Sequence, residues 1–174
     1  MGMKHSGKST LSRMLAWHMK GKYRDLDTLV EAEYRSDRTL TCREIYRQHG
    51  REFFQGLEQL AAERLAEDLS RGNVAAALGG GTIDNERALR PLSGLGVFVY
   101  LQETADVLYE RIAKGGVPAF LDNENPYEDF ILLYNRRTPR YEELSEIIVR
   151  LDGGGTEASF ALLIKTLEEN HYVW

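Results

Sequence analysis

Residues 2–10 read G-M-K-H-S-G-K-S-T, which satisfies G-x-x-x-x-G-K-[ST] without an insertion. The chemistry of that spacing is phosphate binding. Backbone N–H groups of such a loop point at phosphate oxygens, and the helix that follows adds the positive end of its dipole. The candidates for holding a nucleotide are therefore Gly2, His5, Ser6, Gly7, Lys8, Ser9 and Thr10. Lys8 would reach the β- and γ-phosphates, and the Ser9 hydroxyl would ligate Mg²⁺. A second chemical pattern is Asp25-Leu26-Asp27. Residues two apart on a strand share a face, so both carboxylates can face the loop. One can hold Mg²⁺ through water, and the other can accept the proton of an attacking hydroxyl. Asp27 could equally cap a helix. A third is Gly79-Gly80-Gly81, which permits close approach of backbone to a ligand; its plainer reading is a strand-to-helix turn.

These residues need elements to position them. Residues 9–19 read as a helix opened by the loop, 23–27 as a short strand end, and 27–34 as helix. Thr41-Cys-Arg-Glu44 is a capping box that starts a further helix. Residues 51–70 place Phe53, Leu57, Leu60, Ala61, Leu65 and Leu69 at helical spacing, and Gly72 ends the run. Residues 74–78 are an unbroken apolar run of strand length, and 97–101 and 147–151 read as a second and a third apolar strand. Helices are expected over 85–92, 104–114, 126–144 with a break near Pro139, and 157–170. Strands that alternate with helices and are apolar throughout predict an α/β fold: a parallel sheet covered by helices on both faces. Ligands of such sheets bind at the carboxyl ends of the strands, which is where Asp25, Asp27, Gly79–Gly81 and residues 152–155 fall.

The composition narrows the function classes. At 174 residues the chain has the length of one domain. It is 43% hydrophobic and 28% charged, with a net charge of −5. That acidic balance argues against a general nucleic-acid or anionic-membrane surface, which needs a basic excess. A single cysteine, Cys42, rules out an intrachain disulfide and suits a reducing cytosol. No apolar run reaches the length of a bilayer span.

The combination of G-M-K-H-S-G-K-S-T, D-L-D, the G-x-x-x-F-x-x-x-E of Gly50, Phe54 and Glu58, G-G-G at 79–81 and R-T-P-R-Y at 137–141 resembles the shikimate kinases. These are small members of the P-loop, nucleoside-monophosphate-kinase-like proteins, and the resemblance runs from Gly2 to about Leu151. It implies a five-stranded parallel sheet, a helical substrate-binding insert over about residues 29–60 and a mobile lid over about 113–125. The implied reaction moves the γ-phosphoryl group of ATP to a ring hydroxyl of shikimate, with ATP and Mg²⁺ as cofactors and a monomeric, cytoplasmic protein. Carried over, Lys8 and Ser9 handle phosphate and metal, and Asp25 supports the metal. Asp27 orients or deprotonates the acceptor hydroxyl. Gly79, Gly80 and Gly81 line the acceptor, Arg111 lies against adenine, and Arg137 pairs with the acceptor carboxylate.

The sequence departs from the family in three places. Gln55 stands where the family carries a carboxylate-gripping arginine after the phenylalanine. Val117-Pro118-Ala119-Phe120-Leu121 stands where the lid carries an arginine, and His5 replaces a common loop glycine. Gln supplies neither the charge nor the fork of arginine. Arg51, four residues before Gln55, shares its helical face and is a candidate second donor. Two alternatives to a shikimate kinase stay open: a kinase for another small hydroxylated metabolite, and a nucleotide-binding protein without transferase activity. The family's first strand ends at the loop's first glycine. The expectation is that about six further apolar residues, a typical strand, precede Met1.

Overall fold

The computed structural model describes residues 1–36, 38–114 and 125–172. The lid expectation over 113–125 lies, from 115 to 124, outside the described residues. The chain divides into two compact units, Met1–Leu11 with Val97–Trp174, and Ser12–Gly96.

The first unit carries the phosphate-loop sequence and the start of α1 (Lys8–His18), then β3 (Val99–Gln102), α5 (Ala105–Lys114), α6 (Pro126–Leu144), β4 (Ile147–Arg150) and α7 (Thr156–Glu169). β3 and β4 pair in parallel, with Val99 opposite Ile147 and Gln102 opposite Arg150. Met1 joins β3 through its backbone: its nitrogen donates to the Val99 carbonyl at 2.6 Å, and the Leu101 N–H donates to its carbonyl at 3.0 Å. The loop thus leaves directly from β3's flank. Tyr100, Leu101, Leu108, Ile112, Phe130, Tyr141, Ile147, Val149 and Leu163 form the core. Tyr100 and Tyr141 stack with ring centroids 4.9 Å apart. Such a pair adds about 0.5–1.5 kcal/mol beyond area burial. It anchors the C-terminal half of α6, and the break expected near Pro139 does not occur. The helix runs unbroken to Leu144. Proline in a helix interior loses a hydrogen bond and crowds the preceding turn. Burial of Phe130 before it and Tyr141 after it holds the helix together across the site.

The second unit continues α1 and adds β1 (Lys22–Asp25), α2 (Leu26–Glu33), α3 (Cys42–Ser70), β2 (Val74–Ala77), 3₁₀ turns at Thr82–Asp84 and Arg90–Leu92, and α4 (Glu86–Leu89). β1 and β2 pair in parallel, Lys22 opposite Val74 and Asp25 opposite Ala77. β1 reads Lys-Tyr-Arg-Asp and is not apolar; Arg24 bonds Asp68 of α3 at 2.6 Å. Leu26 and Val30 of α2 and Ile45, Ala61, Ala62 and Leu65 of α3 are fully buried. The capping box predicted at Thr41 forms, with Glu44 Oε2 accepting the Thr41 N–H at 2.8 Å. α3 is kinked at Gly50, whose φ of 81° is open to glycine. No helix among the described residues is long and apolar enough to cross a membrane.

Candidate functional site

The loop is built as a tight turn ahead of α1. Gly2 has φ 142°, and a Cβ there would stand 2.8 Å from the Leu101 carbonyl, so only glycine fits against β3. The Ser6 N–H closes a turn on the Met3 carbonyl at 3.3 Å, and Lys8 Nζ donates to that same carbonyl at 2.7 Å. His5 adopts φ 65°, a left-handed conformation uncommon for residues other than glycine, though histidine, asparagine and aspartate enter it more readily than most. Its imidazole is held below the usual histidine range, first by burial and then by the charges of Lys4, Lys8 and Arg111. Ser6 is 1% exposed, and its Oγ has no hydrogen-bond partner among the described residues. The first turn of α1 contains no acidic residue. A cationic side chain, a helix N-terminus with no acidic residue in its first turn and a buried hydroxyl in one loop fit a polyphosphate. Ser9 and Thr10 lie exposed on the first turn of α1, and Gly7 precedes it with φ 87°.

Arg111 also belongs to this region. From α5 its Nη1 donates to the His5 carbonyl at 3.2 Å, while Nη2 lies 3.3 Å from Glu103 Oε2. Arg137 lies half-buried on α6.

In the second unit the acidic pair is arranged differently from its strand expectation. β1 ends at Asp25, and Asp27 belongs to the first turn of α2. Strand alternation therefore does not place the two carboxylates. Asp25 is instead the N-cap of α2: with extended φ and ψ, its Oδ1 accepts the Asp27 N–H at 3.1 Å. Its Oδ2 accepts the Tyr23 hydroxyl at 2.7 Å. The helix needs a cap at that point more than the strand needs another residue. Asp27 stays exposed and packs against the glycine run. A Cβ on Gly79 would lie 2.5 Å from Asp27 Oδ1 and 3.2 Å from Thr82 Oγ1. The glycine at 79 is what lets the Asp27 carboxylate sit against that backbone.

Gln55 and Arg51 lie on α3 after its kink. Gln55 is half-buried and its Nε2 donates to the Asp84 carbonyl at 3.3 Å; Arg51 is exposed. Glu58, one turn further along, is 4% exposed. It accepts Thr82 Oγ1 at 2.6 Å and Asn85 Nδ2 at 2.7 Å. Asn85 also donates to the Gln55 carbonyl at 3.0 Å. The sequence pattern contained Glu58 without a role for it, and Thr82 and Asn85 were missed. A carboxylate at a helical core position is the signal that could have found them, because burial obliges it to find donors. Glu103 was missed as well, hidden at the end of an apolar strand. Gly80 and Gly81 complete the turn that Glu58 ties to α3.

The family model described as shikimate kinase matches residues 4–168. A shikimate kinase of Vibrio parahaemolyticus is 29% identical over 169 residues, covering 97% of this chain and 94% of its own. One from Chlamydia pneumoniae is 30% identical over 151 residues, covering 87% and 84%. The solved structure of shikimate kinase from Acinetobacter baumannii in complex with shikimate shares the fold, with a TM-score of 0.83 at 24% identity, over 99% of this chain and 92% of that one. With the Gly7-Lys8-Ser9 end of the loop, the acidic pair and Arg137 inside the matched span, the chain belongs to the shikimate kinase family.

Proposed function

We propose that the protein transfers the γ-phosphoryl group of ATP to a hydroxyl of shikimate. The observation that carries this reading is the family match across residues 4–168, which takes in Lys8, Asp25, Asp27 and Arg137 together. In the proposed step the acceptor oxygen forms a bond to the γ-phosphorus, and the bond from that phosphorus to the bridging oxygen of ADP breaks. Asp27 orients the hydroxyl and takes its proton, and the Gly79 backbone leaves room for that carboxylate. Lys8 offsets charge developing on the phosphates. The Ser9 hydroxyl would ligate Mg²⁺ and Asp25 would support it, and the metal would supply further charge neutralisation when bound. Gly2, His5, Ser6, Gly7 and Thr10 complete the nucleotide loop. Arg137 pairs with the acceptor carboxylate, and Gly80 and Gly81 line the acceptor. The protein acts as a cytoplasmic monomer.

A second reading rests on Gln55. Its amide is engaged with the Asp84 carbonyl, and no guanidinium stands at that position. That favours a different small hydroxylated acceptor with a less acidic handle, to which Gln55 would offer a neutral hydrogen bond. Both readings are tested by measuring ADP release with ATP, Mg²⁺ and either shikimate, quinate or other hydroxy acids, with the product identified by mass. Shikimate-dependent ADP release supports the first reading, and Gln55→Arg should then raise kcat/KM for shikimate, about tenfold for each 1.4 kcal/mol recovered. No shikimate-dependent release from either protein sinks it.

A further inference from the structure

We infer that Glu103 is a positioning residue for nucleotide binding, acting through Arg111 on the phosphate loop. Its side chain is 1% exposed. A buried carboxylate is costly unless paired, and an apolar residue of similar volume serves stability at least as well. Glu103 directly follows the apolar strand β3, where nothing in the local pattern calls for a charge. Its Oε1 accepts the Thr104 N–H at 3.0 Å. Its Oε2 receives no hydrogen bond of regular geometry and is balanced by Arg111 Nη2 at 3.3 Å. That pairing fixes a guanidinium that otherwise has the freedom of a long side chain.

The other end of the guanidinium reaches the loop. Arg111 Nη1 holds the His5 carbonyl at 3.2 Å. The carbonyl of His5 and the N–H of Ser6 belong to one planar peptide unit, so holding the first orients the second. That Ser6 N–H closes the turn on the Met3 carbonyl, which also receives Lys8 Nζ. A continuous chain of polar contacts therefore runs from buried Glu103 through Arg111 and the 5–6 peptide to the lysine of the loop. It braces a residue, His5, whose φ of 65° is not one an unrestrained loop favours. The charges acting on His5 are positive, from Lys4, Lys8 and Arg111, and the Glu103 carboxylate 3.3 Å from Arg111 Nη2 is the counter-charge that keeps the guanidinium in place.

The inference rests on the loop being the ATP site. The test is calorimetric titration of the full chain with Mg·ATP, alongside thermal unfolding and steady-state kinetics. Glu103→Gln should weaken ATP binding about tenfold and leave the KM for the acceptor unchanged, and the double variant Glu103→Gln/Arg111→Ala should bind ATP no worse than Arg111→Ala. Glu103→Asp, which keeps the charge, should recover part of the loss. Unaltered ATP affinity in a folded Glu103→Gln protein, or additive losses in the double variant, overturns the inference. If Glu103→Gln alone does not fold, Glu103→Gln/Arg111→Gln is compared with Arg111→Gln: equal affinity supports the inference and a further loss overturns it. A wild-type protein that binds ATP but phosphorylates no acceptor defeats the proposed function and leaves this comparison standing. A wild-type protein that binds no ATP overturns both.

Discussion

Lys8 rests with its ammonium on the Met3 carbonyl, inside the loop it serves. It is half-buried and contributes nothing to a hydrophobic core. Lys8→Ala should therefore leave the far-ultraviolet circular dichroism spectrum unchanged and lower kcat roughly 10²–10³-fold, the cost of removing one preorganised charge from a developing anion. Near-normal turnover in the folded variant would contradict the role. His5 makes a pH prediction. Its folded-state pKa lies below the ordinary value of 6.5 because of burial and then Lys4, Lys8 and Arg111. The unfolded chain takes up that proton first as pH falls, so stability drops as pH goes below about 6.5 and the drop is complete below the folded value. His5→Asn keeps a residue that tolerates φ near 65° and removes the titration. Denaturant midpoints measured across this range should fall less steeply with acid in the variant; identical slopes would remove His5 as the source.

At the scale of elements, the junction of β1 with α2 shows how one requirement displaces another. A cap at Asp25 ends the strand and starts the helix, and this turns Asp27 toward the glycine run. Gly79→Ala tests the arrangement. Its Cβ would stand 2.5 Å from Asp27 Oδ1, a separation that forces the carboxylate to move. Misplacing a catalytic group by about an ångström costs on the order of a hundredfold in rate, so kcat should fall by that much while the KM for ATP holds. Unchanged kcat would show that Asp27 does not act from this position. On the other side of the turn, Glu58 joins α3 to Thr82 and Asn85. Glu58→Ala takes the shared acceptor from two buried donors, and should destabilise the protein by roughly 1–3 kcal/mol in chemical denaturation. A loss well under 1 kcal/mol would mean the two side chains find other partners.

Across the whole molecule the question is how the acceptor is recognised. Net charge is −5, so an anionic acceptor gains nothing from the general field and depends on local cations. Arg137, on α6, is the arginine proposed to grip the acceptor, and Gln55 lies on α3. Arg137→Ala should raise the KM of a carboxylate acceptor by the equivalent of about 2–5 kcal/mol and leave the KM for ATP nearly unchanged. Equal effects on both substrates would assign Arg137 to structure instead. Burial, then the Asp27 and Glu31 carboxylates, push the Cys42 thiol pKa well up, and its Sγ donates to the Asp27 carbonyl at 3.3 Å.

By itself the amino-acid sequence determined whatever rests on neighbours along the chain. The phosphate loop is nine consecutive residues, the Thr41–Glu44 box is a four-residue exchange of bonds, and the apolar runs of β2, β3 and β4 announce buried parallel strands. Family membership was legible for the same reason, since ordered short motifs carry it. Tertiary structure decided what depends on distant partners. Pro139 stays inside α6 because Tyr141 stacks on Tyr100, forty-one residues away in sequence. Asp25 became a cap and Asp27 a helical residue because the chain turns at that rim. The pairing of Glu103 with Arg111, and of Arg111 with the His5 carbonyl 106 residues before it, joins groups that no local period connects. Burial compels each of these polar groups to find a partner, and only the folded chain determines which one is within reach.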